Sequence, residues 1–534
     1  MNTTSSQKSL LKSTGIMTLA TLASRITGLG RTWAMAFALG NTLITSAYQV
    51  ANNMPNVIYD LIAGGILGTA FLPIYLLEHT NKGEKAADAF ASNILNISLV
   101  FLGIISIVAT LFAPQVISTQ TFTISESSEV FSYSVFFFRI FSIQIVFYGL
   151  GGVITGVLNA RRIYGIPSLA PALNNIVVIA SFFIYIPLSY TNQELALIVL
   201  AAGTSLGVVA QFAIQLPALK KLGFSYSLRI NLKDPALKEA LYIAIPTLIY
   251  IAGTLISFSC RNAFALNVSD VGPATLMYAW IWYQLPYGVI AVSLSTAYLT
   301  EMSAAAACND IALLRKSVEG GLRATLCAII PLAGLMVLFA ITIAQIFQAG
   351  AFDSLAALQV GDILRIWVIS LPFYAGAMFL YRVFASLRHF MTFALVSTGL
   401  CVLQIALYAL LSQKEFFGLY GLPLADCVYF ALQFFIMAFI LKKRIGNFGL
   451  SGLGVLSGKL VFASLLTIAP LALVLDMLPT SSSSIQALIQ LGILGLCGLI
   501  LTFGICSILK IEELEMIKDL FTRLINRLKK NSTS

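Results

Sequence analysis

Two arginines lie inside an apolar segment near the N-terminus that is long enough to cross a membrane. Residues 24–31 read SRITGLGR and contain Arg25 and Arg31. A charge near the bilayer centre costs at least about 2.5 kcal/mol, so an embedded arginine normally faces water, a partner or an anionic ligand. Gly28 and Gly30 loosen the helix between the charges and are predicted hinge positions, because irregular backbone at this depth lines cavities. This stretch is therefore predicted to bind a phosphate or carboxylate group.

Positive charge exceeds negative charge inside the predicted membrane spans. The embedded arginines are Arg25, Arg31, Arg139, Arg261 and Arg365. The clear embedded acids are Asp60 and Asp426, and Asp362 lies one helical turn before Arg365, where the two can pair. The excess favours an anionic substrate, because a guanidinium group binds two oxygens of a phosphate or carboxylate at once. For Arg139 and Arg365, a structural role is favoured over ligand binding.

The remaining embedded charges each have two interpretations. Arg261 either binds substrate or lies near the outer end of its helix, where a long side chain reaches the interface. Asp60 also has two interpretations. In the first, its carboxylate binds substrate, a coupling ion or a proton. In the second, it forms a salt bridge with Arg25 or Arg31. For Arg25 and Arg31 the alternative is a structural pair with a neighbouring helix. The cavity interpretation is favoured there because of the adjacent glycines.

Prolines and glycines interrupt the second predicted span and its later counterpart. Pro55, Gly64 and Gly65 fall in the first of these segments, and Pro286 and Gly288 in the second. Corresponding breaks in two halves of a transporter indicate a binding site and its hinges. Close helix packing through small residues is the alternative for any single position.

The composition places these residues in a polytopic, all-α membrane protein. The chain has 534 residues, of which 58% are hydrophobic and only 10% are charged, against about a quarter in soluble proteins. A spanning helix needs about 20 apolar residues. Fourteen segments qualify: 13–38, 43–77, 88–113, 130–158, 167–188, 194–219, 236–261, 274–302, 320–346, 356–384, 390–411, 418–441, 456–478 and 485–508. The first is expected to be a retained span, not a signal peptide.

Lysine and arginine are confined almost entirely to every second loop. The opposite loops contain only Lys414. Basic loops stay on the cytoplasmic side, so both termini are predicted to be cytoplasmic, in agreement with an even number of spans. The formal net charge of +10 is explained by this alternation, and no nucleic-acid partner is expected.

The chain contains an internal repeat. Four pairs of anchors share nearly one offset: AFAL at 36–39 and 263–266, TAFL at 69–72 with TAYL at 296–299, Arg139 with Arg365, and Arg162 with Arg388. The offset covers six spans, so the two halves insert with the same orientation. We expect two six-helix lobes related by an axis along the membrane normal, with a substrate cavity between them.

The repeat predicts four regions. Residues 1–232 form an N-terminal lobe of helices 1–6, and 233–445 form a C-terminal lobe of helices 7–12. Helices 13 and 14, at 446–509, lie outside the duplication. Residues 510–534 show helical amphipathic spacing, which indicates a helix on the cytoplasmic membrane face or one packed under the bundle.

Nothing in the sequence indicates an enzyme. The only histidines are His79 and His389, and neither has a carboxylate or cysteine at ligand spacing. There is no phosphate-binding loop of the Walker type. The seven cysteines are odd in number and show no CxxC spacing. We expect no catalytic site, no metal and no cofactor.

Several segments resemble one known family. They are SRITGL at 24–29 with Arg31, Pro55-Asn56, GVLNAR at 156–161, LPYGVIAV at 285–292 and RVFAS at 382–386. Together they are similar to the signatures of the MurJ (MviN) lipid II flippases, which belong to the multidrug/oligosaccharidyl-lipid/polysaccharide exporter superfamily. The similarity follows the first twelve predicted spans in order.

This resemblance implies a function and partners. It implies a bacterial cytoplasmic membrane protein whose two lobes surround a cationic cavity, with a groove formed by helices 13 and 14 for a polyprenyl tail. The implied substrate is the undecaprenyl-diphosphate-linked peptidoglycan precursor, with membrane lipids and cell-wall synthesis enzymes as further partners. Tyr59 and Asp60 stand where many members carry two arginines, and Ile281 where many carry another. Arg261 is a candidate substitute for the missing cavity charge.

The resulting prediction is an alternating-access flippase that holds the lipid headgroup with Arg25 and Arg31. One alternative is a flippase for another polyprenyl-diphosphate-linked saccharide. Another is an ion-coupled drug exporter, which should depend on Asp60 or Asp426. A third is a membrane scaffold in cell-wall synthesis, which should still work when Arg25 and Arg31 are replaced.

Overall fold

A computed structural model describes residues 3–61, 71–228, 230–478 and 483–511, together with Glu513. This part of the chain is almost wholly helical and contains no β-strand, as predicted. It forms two compact units. The first spans Met1–Ala274 with Gly350–Phe352, and the second spans Thr275–Ala349 with Asp353–Ser534.

The first unit contains eleven helices: α1 (Thr3–Leu39), α2 (Leu43–Tyr59), α3 (Phe71–Lys82), α4 (Glu84–Leu111), α5 (Ala113–Thr121), α6 (Glu129–Phe141), α7 (Gln144–Ala160), α8 (Gly165–Ser189), α9 (Gln193–Ala213), α10 (Leu216–Lys221) and α11 (Pro235–Val268). The helices that follow are α12 (Gly272–Pro286), α13 (Val292–Ala307), α14 (Ile311–Gln345), α15 (Ser354–Val368), α16 (Leu371–Ser386), α17 (Phe390–Leu411), α18 (Gly421–Ile445), α19 (Leu450–Met477) and α20 (Ser484–Ile508). A π-helical turn, Tyr287–Ala291, joins α12 to α13.

Ten helices in the described residues are long and apolar enough to cross a membrane. Two bent pairs raise the number to twelve: α6 with α7, at 44°, and α15 with α16, at 54°. The chain is therefore a multi-pass membrane protein, and these twelve correspond in order to the third to fourteenth predicted spans. The first predicted span coincides with α1. The second coincides with α2 and α3, and residues 62–70 between them lie outside the described part. The total of fourteen stays a prediction.

The two halves repeat the same local structure, as expected from the duplication in the sequence. The bent pairs occupy equivalent places in the two halves. Arg162 (φ 63°) and Arg388 (φ 58°), predicted to be equivalent, both adopt a left-handed backbone that side chains other than glycine rarely take. A π turn occurs at 60–61 and again at Tyr287–Ala291. Unusual backbone at matching positions is what a duplicated fold predicts.

The compact units and the sequence repeat divide the chain at different points. Helix α11 opens the second repeat in the sequence, yet it belongs to the first unit, where it packs against α5 and α3. Asn262 donates a hydrogen bond to Gln120 in α5 (2.7 Å), and the Thr123 hydroxyl donates to the Ala263 carbonyl. In the second unit, α19 and α20, which lie outside the duplication, pack against α14.

Polar side chains of α4 bind the backbone of the segment between α10 and α11. The Ser227 N–H donates to Ser92 Oγ (3.2 Å), and Asn96 Nδ2 donates to the Ser227 carbonyl (2.9 Å). Asn93 exchanges two hydrogen bonds with the backbone of Asn231, at 2.7 and 3.0 Å. An extended segment lacks internal hydrogen bonds. The side chains of α4 supply hydrogen-bond partners for its backbone N–H and C=O groups.

Asp88, on the same face of α4, links four parts of the first unit. Its carboxylate accepts hydrogen bonds from the Tyr75 hydroxyl (3.0 Å) and the Ser225 N–H (3.1 Å). It also forms an ion pair with Arg161 at 3.2 Å. Asp88 is 1% exposed. Arg161 has a second acid partner, Glu84, whose side chain is 54% exposed.

We expect Asp88→Ala to lower thermal stability far more than Glu84→Ala. The first substitution leaves the Arg161 guanidinium and the Ser225 N–H without a buried acceptor, a loss of about 3 kcal/mol. The second removes only an exposed partner of the same arginine, which contributes about 0–1 kcal/mol. Thermal unfolding of the detergent-solubilised protein, followed with a thiol-reactive dye, measures both shifts. Equal shifts would contradict the central role of Asp88.

Candidate functional site

The orientation of α1 is determined by its packing against α8. Asn175 Nδ2 donates to the Ser24 carbonyl (3.3 Å) and to Thr27 Oγ1 (3.2 Å), and a Cβ at Gly28 would lie 3.5 Å from the same atom. Ser24, Thr27 and Gly28 share one helical face because residues three and four apart are neighbours. Arg25 lies off this face and is exposed.

Arg31 is half-buried in α1. It interacts electrostatically with the phenols of Tyr48 and Tyr148. The Tyr48 hydroxyl hydrogen-bonds with Thr204 Oγ1 at 3.0 Å, and that of Tyr148 is in hydrogen-bonding contact with the Asn56 side chain. The guanidinium group therefore lies within electrostatic range of two neutral phenols of the first unit.

Among the residues that the structure describes, neither Arg25 nor Arg31 forms an ion pair. The predicted alternative, a salt bridge from either one to Asp60, is not formed. Arg365 behaves differently, because its guanidinium group lies 3.6 Å from the Asp362 carboxylate, as the sequence predicted. An embedded arginine without a carboxylate partner remains available to an anionic ligand or to water.

Asp60 lies half-buried in the π turn at the end of α2. Its carboxylate interacts electrostatically with the phenols of Tyr59 and Tyr148. Tyr59 and Tyr148 also line a cavity of about 200 Å³ in the first unit. Thr155 Oγ1 donates to Gln215 Oε1 (2.9 Å) in the wall of this cavity. Arg31 and Asp60, two of the predicted site residues, thus both interact electrostatically with Tyr148, and their role in a site stays a prediction.

Arg261 is almost completely buried in α11, with 8% of its surface exposed. Its guanidinium carbon lies 4.9 Å from the ring centroid of Phe258, a cation–π geometry. The next residue, Asn262, holds α11 to α5 through Gln120. A contact between Arg261 and substrate stays a prediction.

The predicted hinge residues of the second half coincide with irregular backbone. Pro286 ends α12 and directly precedes the π turn Tyr287–Ala291, which contains Gly288. A π turn widens one turn of helix and is often found at functional sites. Whether it acts as a hinge stays a prediction.

The predicted hinges of the first half lie in three different settings. Pro55 is buried inside α2, shortly before the π turn at 60–61. Gly28 and Gly30 lie within the unbroken helix α1. Gly64 and Gly65 lie outside the described residues.

Tyr148 is not among the site residues predicted from the sequence, although the sequence contains a sign of its importance. Phe147-Tyr148 recurs as Phe373-Tyr374 at the repeat offset. In the second unit, Gln284 Nε2 donates to the Tyr374 hydroxyl at 3.0 Å, as the Asn56 side chain contacts Tyr148 in the first. Each half therefore pairs an amide, placed just before a π turn, with the equivalent tyrosine.

Asp426, the other embedded acid, is satisfied by neutral donors. It is 1% exposed and accepts hydrogen bonds from Trp367 Nε1 (2.8 Å), Gln404 Nε2 (2.6 Å) and the Tyr408 hydroxyl. These donors come from α15 and α17, so the carboxylate connects both helices to α18.

The second unit contains an apolar cavity of about 430 Å³ formed by α12, α14 and α20. Its wall includes Trp282, Pro286, Met336, Phe339, Gly495 and Leu499. Helix α20 is the fourteenth predicted span, one of the two that the family resemblance assigns to a lipid-tail groove.

Comparisons with known proteins agree on one family. A family model described as "Lipid II flippase MurJ" matches residues 35–491. The "Lipid II flippase MurJ" of Burkholderia cenocepacia is 28% identical over 66% of this chain and 68% of its own length. The "Probable lipid II flippase MurJ" of Synechocystis sp. is 28% identical over 85% of this chain and 86% of its own.

Solved structures share the fold. One described as "Lipid II flippase MurJ, inward closed conformation" has a TM-score of 0.76 at 23% identity, and the match covers 94% of this chain and 99% of that one. An inward-facing multidrug resistance MATE family transporter of the MOP superfamily has a TM-score of 0.61 at 16% identity, over 81% of this chain and 94% of that one.

Proposed function

The chain belongs to the lipid II flippase MurJ family, and from this premise we propose that it moves lipid II from the inner to the outer leaflet of the bacterial cytoplasmic membrane. Lipid II is the undecaprenyl-diphosphate-linked precursor of peptidoglycan. The protein exposes its headgroup site to the two sides in alternation, with both termini in the cytoplasm. It transports lipid II without breaking a covalent bond, so it is not an enzyme. The enzymes that make and consume lipid II are its proposed partners.

The observation that carries this proposal is that Arg31 has no carboxylate partner among the described residues. We propose that Arg25 and Arg31 bind the diphosphate, because guanidinium groups bind phosphate oxygens in pairs. Moving a diphosphate out of water is costly unless its charge is paired and hydrogen-bonded. The two arginines lower that cost.

Asp60 and Arg261 are proposed to contact the rest of the headgroup. The Asp60 carboxylate can accept hydrogen bonds from sugar hydroxyls or peptide amides, and it can bind a coupling proton or ion. Arg261, held against Phe258, is proposed as a contact for a peptide carboxylate. The lobes are proposed to move by bending at hinge residues. These are Gly28, Gly30, Pro55, Gly64, Gly65, Pro286 and Gly288.

The apolar cavity of the second unit is proposed to hold part of the polyprenyl tail. Its walls are apolar and come from α12, α14 and α20. Helices outside the duplicated set are needed for a substrate that carries a long lipid chain, because such a chain must remain in an apolar environment while the headgroup crosses.

An ion-coupled drug exporter is the second candidate. The likeness to a MATE family transporter and the absence of an ion pair to Asp60 among the described residues favour it. A cation exporter should depend on Asp60 and tolerate the loss of Arg25 and Arg31.

Depletion of the protein in its bacterial host tests the proposal. We expect lipid II to accumulate and to remain inaccessible to a probe added outside the cell. Re-expression of the wild-type chain should restore access, and a chain carrying Arg25→Gln and Arg31→Gln should not. Accumulation of a different polyprenyl-linked saccharide, or of none, would overturn the proposal.

A further inference from the structure

The extended segment between α10 and α11 exposes a row of apolar side chains. Every second residue is large, apolar and more than half exposed: Tyr226, Leu228, Ile230 and Leu232. The residues whose backbone is bonded to α4 alternate with them and are Ser225, Ser227 and Asn231. Successive side chains of an extended chain point to opposite sides. The segment is therefore bonded to α4 through one set of residues and presents the other set outwards.

The place of this segment on α4 indicates what covers the row. Asn93 and Asn96, which bind its backbone, are buried. At helical spacing, the same face of α4 continues with Val100, Ile104 and Ile107, whose side chains are 49%, 55% and 64% exposed. Helix α4 is long and apolar enough to cross a membrane, so this exposed face lies against lipid. The segment thus covers the lipid-facing side of α4 near the end where the helix begins.

The segment keeps two amides away from lipid. An amide in an apolar environment is costly unless it is hydrogen-bonded, and both Asn93 and Asn96 bond to the segment. Outside these amides lie Leu228, which is 90% exposed, and Ile230. A contiguous apolar patch is rare on a surface that faces water. Leucine and isoleucine are instead stable at the boundary between lipid headgroups and acyl chains.

Positive charge flanks the row on both sides. Four exposed lysines lie there: Lys220, Lys221, Lys233 and Lys238. None of the four forms an ion pair within the part of the chain that the structure describes. The acids of this stretch are Asp234 and Glu239, so the lysines outnumber them. A lysine stem can lie along apolar surface while its ammonium group reaches a lipid phosphate, and a cluster of lysines favours anionic lipid.

We propose that Leu228, Ile230 and Leu232 insert into the membrane at the boundary between headgroups and acyl chains, and that the flanking lysines bind the phosphates of anionic phospholipids there. With both termini in the cytoplasm, as proposed above, this is the inner leaflet. The interaction is separate from substrate transport and does not rest on it. Because the segment joins the two sequence repeats, lipid holds the connection between them at the membrane surface.

Leu228→Trp in the full-length protein, reconstituted in nanodiscs, tests the insertion. The nanodiscs contain phosphatidylglycerol and phosphatidylcholine, and either lipid carries bromine near the start of its acyl chains, where it quenches a nearby indole. We expect lipid to quench the fluorescence that this variant adds to that of the wild type, and acrylamide in the water to leave it unaffected. Thermal stability like that of the wild type shows that the variant folds.

Ser225→Trp is the matched control for position. Ser225 is an exposed residue of the same segment, and its side chain lies on the opposite side of the extended chain. We expect acrylamide to quench the fluorescence added by this variant and brominated lipid to leave it unaffected.

A second comparison tests the lysines. Removal of one lysine near an anionic membrane surface corresponds to about 1 kcal/mol, or about fivefold. In the Leu228→Trp protein, Lys233→Gln should therefore lower the preference for phosphatidylglycerol over phosphatidylcholine around the indole by about fivefold. Lys442→Gln removes an exposed lysine near the end of α18 and should leave this preference unchanged.

Two results would overturn the inference. Quenching of Leu228→Trp by acrylamide and not by lipid would mean that the row faces water, where another protein could cover it. Equal quenching by the two lipids, unchanged by Lys233→Gln, would mean that anionic phospholipid is not the partner. Neither result affects the depletion experiment, which tests transport alone.

Discussion

Arg31→Gln is expected to weaken binding of a lipid-linked diphosphate by about 10- to 100-fold, since a hydrogen bond to a charged group contributes about 1.5–3 kcal/mol. Glutamine keeps a donor at this position and loses the charge. In the first unit the phenols of Tyr48 and Tyr148 interact electrostatically with Arg31, and they cannot replace a positive charge. The double variant Arg25→Gln with Arg31→Gln should abolish transport. Arg31→Lys should retain part of it, because lysine keeps the charge without the two-pronged geometry.

Transport of fluorescent lipid II in proteoliposomes and binding of lipid II in detergent measure the two effects. Arg365→Gln is the matched control, because this arginine also lies in a predicted span but is already paired with Asp362. It should bind and transport like the wild type. Equal losses of binding and transport in Arg31→Gln and Arg365→Gln would indicate a general dependence on embedded charge. Normal transport by the double variant would show that Arg25 and Arg31 do not bind the substrate.

Gly495→Phe is expected to block the apolar cavity and to weaken binding of long-chain lipid II. Gly495 lines the cavity, and a Cβ at this position would meet no atom within 4 Å, so a phenylalanine here is expected to compete with the lipid tail for the same volume. A clash of the size that overpacking causes, about 1–3 kcal/mol, corresponds to about 5- to 150-fold weaker binding. Thermal stability should stay unchanged or rise, because glycine inside a helix costs about 0.5–1 kcal/mol relative to alanine.

Gly504→Phe separates blocking of the cavity from a general effect on α20. Gly504 lies on the same helix and is not part of the cavity wall, and a Cβ at this position would also meet no atom within 4 Å. The control should bind long-chain lipid II normally. A soluble analogue of the headgroup, which has no tail, should bind both variants like the wild type. Equal binding of lipid II by the two variants would contradict a tail site in this cavity.

The sequence predicted the arrangement of spans well because hydropathy is a local property. Each bilayer crossing needs its own apolar run, so the third to fourteenth predicted spans reappear as ten helices and two bent pairs. The duplication could also be detected in the sequence, because short matches at one offset can be found without knowing how the helices pack. Arg162 and Arg388 then adopted the same left-handed backbone.

The site could be predicted only in part. Arg25, Arg31 and Asp60 could be predicted as site residues from the free-energy cost of a charge inside the bilayer, since this cost depends on residue type and depth alone. The sequence could not decide which of them pair. Their partners lie on helices far away in the chain. Tyr148, which interacts electrostatically with both Arg31 and Asp60, could be identified in the sequence only as part of the internal repeat.

The sequence by itself determined the class of protein, the order of its spans, the internal repeat and the excess of embedded positive charge. Only the tertiary structure decided that α11 packs with the first unit, that Asp426 is satisfied by Trp367, Gln404 and Tyr408, and that Trp282 faces an apolar cavity with a free N–H among the described residues. The physical reason is that the free energy of membrane insertion is roughly a sum of contributions from individual residues. Pairing and cavity formation instead depend on which helix faces meet, and small residues and polar contacts between distant segments set that choice.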